Sequence, residues 1–337
     1  MNCAINKAGH KAGQPLGRIV LAAFAILAAA VPIDQVSAQE YPNKPIKLVI
    51  PYPPGGATDV IGRVVALKLS EALGQQVIVD NRSGAAGSIG ATAVATAPAD
   101  GYTLLLGALT SHSINSALQT NLPFDLAKDF VPIGVVGEVP LVFVVNPAIP
   151  VKSLKEFLAY TKAHPGTTFA SSGNGSPQHM AGELFKSMTR VDMLHIPYKG
   201  SGPAMVDLIG GQVQSMIETI PASLSFIKDG KLRALAVTTP TRYANLPDVP
   251  TTAEAGLPDF IVTSMFGVLA PAKTPPAIVA KLTATLEKIL AAPDTQERLF
   301  AQGAIAGYLN PADSARRIKA EMDKWTRVAH DANIRLD

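Results

Sequence analysis

The chain has 337 residues, with 29 Lys+Arg against 26 Asp+Glu, a formal net charge of +3, and only 16% charged residues. That balance excludes a disordered polyelectrolyte or a nucleic-acid-coating surface, while 47% hydrophobic residues over this length suffice for two domains with their own cores. The 27 glycines and 27 prolines follow no fixed period, so they read as punctuation between many short elements.

The first segment in chain order reads as an export signal. Lys7, Lys11 and Arg18 form a basic stretch, Ile19 to Val31 is a 13-residue apolar run, and Val36-Ser37-Ala38 supplies the residues a signal peptidase needs before Gln39. The run is shorter than the roughly 20 residues of a membrane span. Residues 1–38 are therefore predicted to be a signal peptide cleaved near Ala38, and the protein is expected in a bacterial periplasm. Without Lys7, Lys11, Arg18 and Asp34 the counts become 26 basic and 25 acidic residues, a net +1, and Cys3, the one cysteine, is lost. The remainder has no disulfide, no thiolate nucleophile and no cysteine metal site.

Short apolar runs then alternate with helical patterns. Ile46 to Ile50 reads as a buried strand, followed by the loop Pro51 to Ala57 and a helix capped by Thr58 or Asp59 that keeps helical spacing up to Gly74 as its C′ residue. Val77 to Val79 is the next strand, and a small-residue loop from Ser83 to Gly87 leads to a helix from Ser88 to Ala97 and a strand from Tyr102 to Leu106. The pattern continues with a strand at Leu141 to Val145, a helix at Leu154 to Ala163, the strand Phe169 to Ser171, a helix at Gln178 to Met188, and strands at Met193 to Ile196, Val213 to Ile217 and Ala234 to Thr238. The segments Pro275 to Leu290 and Pro311 to His330 are helical. Recurrence of the strand–loop–helix unit predicts parallel sheets with right-handed crossovers. No Ser/Gly-rich linker divides the chain, so it is expected to cross between domains as ordered strand, near Leu141 to Val145 and near Val262 to Val268.

Two loops join a strand to a helix N-terminus through consecutive small residues. One runs Tyr52, Pro53, Pro54, Gly55, Gly56, Ala57, Thr58, Asp59; the other runs Ser171, Ser172, Gly173, Asn174, Gly175, Ser176, Pro177. Glycine lets the backbone approach a ligand closely, and the free N–H groups of a helix's first turn favour an anion, so each loop is either an ordinary βα turn or half of a carboxylate grip. Their pairing, one per expected domain at strand carboxyl ends, favours a cleft.

Enzyme signatures are absent: there is no Gly-x-Ser-x-Gly elbow, no complete phosphate loop, no His-Glu-x-x-His pair, and the Gly173-x-Gly175 stretch lacks the third glycine of a dinucleotide fingerprint. No cofactor and no metal site is expected. Among single residues, His179 lies in the first turn after the second loop, where it either donates to a ligand or caps. His112 follows Leu109-Thr110-Ser111 at a strand end, facing a cleft or lying in a loop. Asp59 suits a helix cap better than a catalytic acid, Lys199 suits a solvated loop, Trp325 and Met322 suit the core, and Met180, Leu184 and Met188 form one buried helix face.

The sequence also resembles the Bug family of extracytoplasmic solute-binding receptors of tripartite tricarboxylate transporters. The resemblance rests on Tyr41-Pro42-Asn43-Lys44-Pro45-Ile46, Pro51-Tyr52 with Gly55-Gly56 and Asp59, Asp80-Asn81-Arg82, Gly84 to Gly87 with Ile89-Gly90-Ala91, and Asp100-Gly101-Tyr102-Thr103. It continues through Lys162 with Pro165-Gly166, Ser172-Gly173 with Gly175-Ser176, Pro197-Tyr198-Lys199-Gly200, Gly230 to Ala236, Leu246 to Thr251, Glu254-Ala255-Gly256, Leu269-Ala270-Pro271 and Thr274-Pro275. It implies an α/β clamshell of two lobes, each a mainly parallel sheet flanked by helices, with residues 39–142 and 265–337 in one lobe and 143–264 in the other. It further implies that Gly55 to Asp59 and Ser171 to Ser176 grip a ligand carboxylate through main-chain groups and water, and that the receptor delivers it to a permease of one large and one small integral membrane subunit. The sequence departs from the family pattern at Ala86 and Arg190, where glycine is common, and at Ser264-Met265-Phe266, which lacks a tryptophan before Gly267; Ala86 and the missing tryptophan bear on the wall that reads the ligand's far end.

The expected function is thus capture of a small carboxylate by a monomeric protein with no nucleic-acid partner, with Tyr52, Ala86, Thr110, Ser111, His112, His179 and Glu218 reading the remainder of the ligand. The ligand classes that fit are di- or tricarboxylates, acidic amino acids and aromatic carboxylates. Two other roles are a sensor presenting its closed form to a membrane signalling protein, and a periplasmic ester hydrolase using His179 or His112 with Ser176.

Overall fold

The computed structural model describes residues 41–119, 121–331 and 334, together with residues 1, 2, 4 and 9. Met1–Tyr41 and Pro42–Asp337 are separate compact units. The apolar run and the cleavage position of the predicted signal lie outside the described residues. No helix among the described residues is long and apolar enough to cross a membrane.

Among the described residues, all regular elements belong to the larger unit. The first are β1 (Ile46–Ile50), α1 (Ala57–Leu73), β2 (Val77–Asn81), α2 (Ser88–Ala95), β3 (Thr103–Ala108), α3 (Leu109–Leu118) and β4 (Phe130–Val145). Next come α4 (Leu154–Ala163), β5 (Thr167–Ser171), α5 (Pro177–Thr189), β6 (Met193–Pro197), α6 (Ser201–Ile209), β7 (Ser215–Thr219), α7 (Ile220–Lys228) and β8 (Arg233–Val237). The chain closes with β9 (Thr263–Pro271), α8 (Pro276–Ala291), α9 (Pro293–Ala301), β10 (Ile305–Leu309) and α10 (Pro311–Asp331).

The strands form one network in the order β2-β1-β3-β9-β4-β7-β5-β6, with β10 and β8 also on β4. Two parallel triplets, β2-β1-β3 and β6-β5-β7, lie towards its ends and carry the βα crossovers. Between them the pairing is antiparallel. Phe130 to Pro140 of β4 lies on β9, and Leu141 to Val145 of the same strand lies on β7 and β8. The parallel character is therefore confined to the triplets, and one 16-residue strand serves both halves of the network. Sequence reading finds only its last five residues, because Pro132, Gly134, Gly137 and Pro140 interrupt the rest. Those interruptions coincide with register shifts between Pro132 and Gly134 and between Val135 and Gly137, as expected where an extra residue bends a strand. A Cβ at Gly137 would run into the Ile305 carbonyl oxygen, so glycine admits β10 at the bend.

The core follows the same division. Val49, Leu105, Phe130, Leu269 and Ile318 pack with the first half, while Phe143, Phe157, Phe169, Phe185, Phe260 and Trp325 pack with the second. Helix α10 thus contributes to both, and Trp325 is fully buried with its indole N–H donating to Glu321 Oε2 at 2.8 Å. Met180 is buried as expected, but Met188 is 38% exposed, one turn beyond the stretch of α5 that the sheet covers. The short strand β10 and helices α7 and α9, each of nine residues or fewer, are elements that the sequence reading does not find.

Candidate ligand-binding site

The first Gly-rich loop leaves β1 and enters α1 with Gly56, not Thr58 or Asp59, at the N-cap position. The two glycines let the chain turn into the helix earlier than the side-chain pattern suggests; Gly55 has φ +87°. Gly56 offers no side-chain cap, so the first-turn amides of Ala57, Thr58 and Asp59 have no helical acceptor. Pro53 to Gly56 are exposed, whereas Thr58 and Asp59 are buried.

Asp59 faces inward. Its Oδ2 accepts from the Gly55 N–H at 3.0 Å and from Arg63 Nε at 2.9 Å, and its Oδ1 accepts from Asn81 Nδ2 at 2.9 Å. Asn81 Nδ2 also donates to the Tyr52 carbonyl at 3.0 Å. Burial opposes ionisation of Asp59, but the hydrogen bonds from Arg63, the Gly55 N–H and Asn81 outweigh it and hold the carboxyl below its usual range. Both carboxylate oxygens are engaged within the protein, so Asp59 shapes the loop from beneath.

Beside this loop, the Tyr52 hydroxyl donates to the Ala86 carbonyl at 3.3 Å, which also accepts from Asn115 Nδ2 at 3.0 Å. Ala85 and Ala86 have φ +46° and +51°, a left-handed pair between Gly84 and Gly87 that also have positive φ. Glycine at position 86 would meet this backbone without Cβ strain, which accounts for the family's preference there. The same reason holds at Arg190, which ends α5 with φ +55°. The hydrogen bonds from Tyr52 and Asn115 hold the strained turn.

Thr110, Ser111 and His112 lie on α3, a helix, where the sequence suggested a strand end or loop. Thr110 Oγ1 accepts from the Met265 N–H at 3.0 Å and donates to the Thr263 carbonyl at 3.3 Å, tying α3 to β9. Ser111 is 9% exposed. His112 is fully buried 6.5 Å from the Tyr52 ring, neither ring nitrogen has a partner, and burial draws the imidazole down to about 4.

The second loop leaves β5 and enters α5. Ser171 Oγ lies 2.6 Å from His195 Nε2 and accepts from the Gly173 N–H at 3.1 Å. The Gly175 N–H donates to His179 Nδ1 at 3.1 Å, which fixes His179 as the neutral tautomer with its proton on Nε2. Ser176 caps α5 by accepting from the His179 N–H at 3.2 Å, and its own N–H donates to the Gly173 carbonyl at 3.1 Å. Four of the amides here are thus engaged internally, leaving those of Ser172, the exposed Asn174 and the buried Gln178 without a protein acceptor among the described hydrogen bonds. The rings of His179 and His195 stack at 3.9 Å. Burial lowers His179 to about 4 and His195 to about 3, with the positive charge of neighbouring groups, Lys186 among them, adding to the effect.

Glu218 stands at the carboxyl end of β7, fully buried. Its Oε1 accepts from Gln178 Nε2 at 2.8 Å and from the N–H and hydroxyl of Thr219 at 2.6 and 2.9 Å. Gln178 Oε1 in turn accepts from the Ser172 hydroxyl at 2.9 Å, linking Glu218 to the loop.

The predicted residues therefore gather into two groups at the carboxyl ends of the two parallel triplets, and none of the described hydrogen bonds joins one loop to the other. Sequence reasoning missed Asn81, Asn115, Gln178 and His195. Asn81 lies inside the Asp80-Asn81-Arg82 match and could have been found there; the others are distant in sequence from what they hold. The serine and histidine pairs proposed for hydrolysis are not assembled: Ser176 Oγ is a helix cap, and the one Ser–His ring hydrogen bond among the described residues, Ser171 to His195, involves a fully buried hydroxyl.

This arrangement matches a family of known receptors. Residues 61–334 match the model of the tripartite tricarboxylate transporter family receptor. The chain belongs to that family. It is 42% identical over 303 residues to the protein BugT of Bordetella pertussis, covering 89% of this chain and 93% of BugT. Among solved structures it is similar to Rpa4515 of R. palustris, determined with adipate, at 39% identity and a TM-score of 0.83 over 88% of this chain and 99% of that one. It is also similar to MatC of Rhodopseudomonas palustris with bound malate, at 34% identity and a TM-score of 0.77 over 86% of this chain and 99% of that one. Its α/β fold is that of periplasmic solute-binding proteins, and the family is one of receptors, not of enzymes.

Proposed function

We propose that the protein is a periplasmic receptor that captures a small carboxylate between two lobes, residues 39–142 with 265–337 and residues 143–264, and delivers it to a permease of one large and one small membrane subunit. The observation that carries this reading is the uncapped start of α1, where the amides of Ala57, Thr58 and Asp59 have no helical acceptor, in a loop tied down by Asp59, Arg63 and Asn81. Such an N-terminus favours a negative group without a side-chain cation, in keeping with a net charge near zero after removal of the signal. A ligand bridging this loop and the Ser172–Gln178 segment draws the lobes together by its preference for the closed arrangement. Adipate and malate in the related structures place dicarboxylates first among the classes to test.

Calorimetry against adipate, malate, citrate, glutamate, nicotinate and an aromatic dicarboxylate tests the reading. One-to-one binding of at least one of them without product formation is expected. Absence of binding across the panel, or turnover of a carboxylate ester, would refute it.

A further inference from the structure

Glu218 is the one buried acid at this site for which the protein supplies no counter-charge. The two oxygens of its carboxyl are treated unequally. Oε1 accepts three hydrogen bonds, whereas Oε2 is buried with no partner. The groups facing it are neutral: Gln178 from α5, Ser201 from α6, Thr219 at the start of α7, and Val142 as its cross-strand neighbour on β4. No cation pairs with it among the described residues, in contrast to Asp59, which has Arg63. An ionised carboxylate would spread acceptor capacity over both oxygens, whereas a neutral acid has one carbonyl oxygen that accepts and one hydroxyl that donates. The unequal division is the one that the acid would make.

We propose that Glu218 binds as a neutral carboxylic acid whose Oε2–H donates to the carboxylate of the ligand, so that ligand capture is coupled to a proton held on the receptor. This rests on the proposed function, since it assigns the ligand's carboxylate as the acceptor that Oε2 lacks. Position supports it: one hydrogen-bonded side chain, Gln178, separates Glu218 from Ser172 of the second loop, and the same Gln178 Nε2 lies 3.4 Å from Ser201 Oγ. Glu218 thus touches the starts of α5, α6 and α7, and an O–H there adds a donor where an ionised carboxylate would repel the anion. Burial, which raises the carboxyl above its ordinary range, acts in the same direction.

The test has two readouts. In the ligand-free protein, the infrared difference between wild type and Glu218→Gln at neutral pH is expected to show a protonated-carboxyl C=O band; its absence overturns the proposal whatever the ligand. With adipate as probe, wild-type affinity is expected to weaken with rising pH, approaching about tenfold per pH unit once Glu218 ionises in the free protein. Glu218→Gln, which keeps a carbonyl acceptor and an N–H donor but cannot ionise, is expected to bind adipate without that slope. A wild-type affinity that is flat or rises with pH, or a Gln variant that keeps the slope, overturns the proposal while leaving carboxylate capture standing. An infrared band at neutral pH with no carboxylate bound at any pH would retain the proton on Glu218 and refute the receptor reading together with the Oε2–H to ligand contact.

Discussion

Replacing Ala57 with proline isolates one main-chain donor. Ala57 is the first residue of α1, and the preceding Gly56 has φ −80° and ψ 168°. Proline is well suited to the first helical position, where its ring φ is already helical and the missing N–H forfeits no intrahelical bond. The extended conformation of Gly56 is also the one that a following proline demands. The substitution therefore leaves α1 and the Asp59–Gly55 hydrogen bond intact and deletes a single first-turn amide that the proposed function assigns to the ligand. A hydrogen bond to a charged group contributes about 1.5–3 kcal/mol, so carboxylate affinity should fall about tenfold to hundredfold. Titration calorimetry with adipate or malate, paired with thermal unfolding, reads both consequences. An unchanged affinity in a variant that melts no lower than wild type would refute the proposed main-chain grip of this loop; a lowered melting temperature would contradict the placement of Ala57 at the start of the helix, where a compatible proline holds or raises stability.

Ala86→Gly should raise stability by about 1 kcal/mol or less, because the left-handed Cβ penalty it removes, about 1–2 kcal/mol, exceeds the chain entropy it adds, about 0.5–1 kcal/mol; denaturant titration measures it, and a loss of stability would contradict the left-handed turn. Gly182→Ala should destabilise by about 1–3 kcal/mol, since its Cβ would drive into the Phe169 ring in the packed core; retention of wild-type stability would show that α5 sits farther from β5. Stability should also fall with acid. Unfolded His112 takes up a proton near its ordinary 6.5, whereas the buried ring waits until about 4, so its contribution is fully present above pH 6.5 and is lost as pH falls towards 4. The shift corresponds to about 3 kcal/mol, and unfolding measured at both ends of that window should show a correspondingly smaller decline in His112→Gln.

What the sequence discloses and what it hides have separate causes. β1 sits inside a dense apolar run bounded by turn residues, and period and punctuation alone locate it; β5 and β7 show only short apolar centres, Phe169-Ala170 and Met216-Ile217, and their bounds are read less closely. The two ligand loops are equally legible, because their glycines must lie between a strand and a helix for the chain to turn. Helix α3 is hidden by its composition: Leu109-Thr110-Ser111-His112-Ser113-Ile114-Asn115 is poor in helix formers, and the helix exists because both its faces are buried. The roles of Asp59 and Glu218 are hidden for another reason. Sequence marks them as polar and near the loops, but whether a carboxylate points at the ligand or supports the turn depends on Asn81, Gln178 and Thr219, whose positions only the fold determines.

The shared strand β4 has a consequence for how the chain acquires its structure. Phe130 finds its partner in Pro271, and Glu138 pairs with Ile305. The β2-β1-β3 triplet, although first in the chain, therefore lacks its antiparallel neighbour until everything through β9 has been made, and the bend at Gly137 is completed only by β10. Contacts this distant impose loop-closure entropy before they return any stabilisation, which slows folding. The strands of the second parallel triplet, by contrast, are contiguous from α4 to β8, and β7 and β8 pair on Leu141 to Val145, with Phe260 and Trp325 closing their core afterwards. Folding is expected to begin there, with the amino-terminal strands joining last although they are synthesised first.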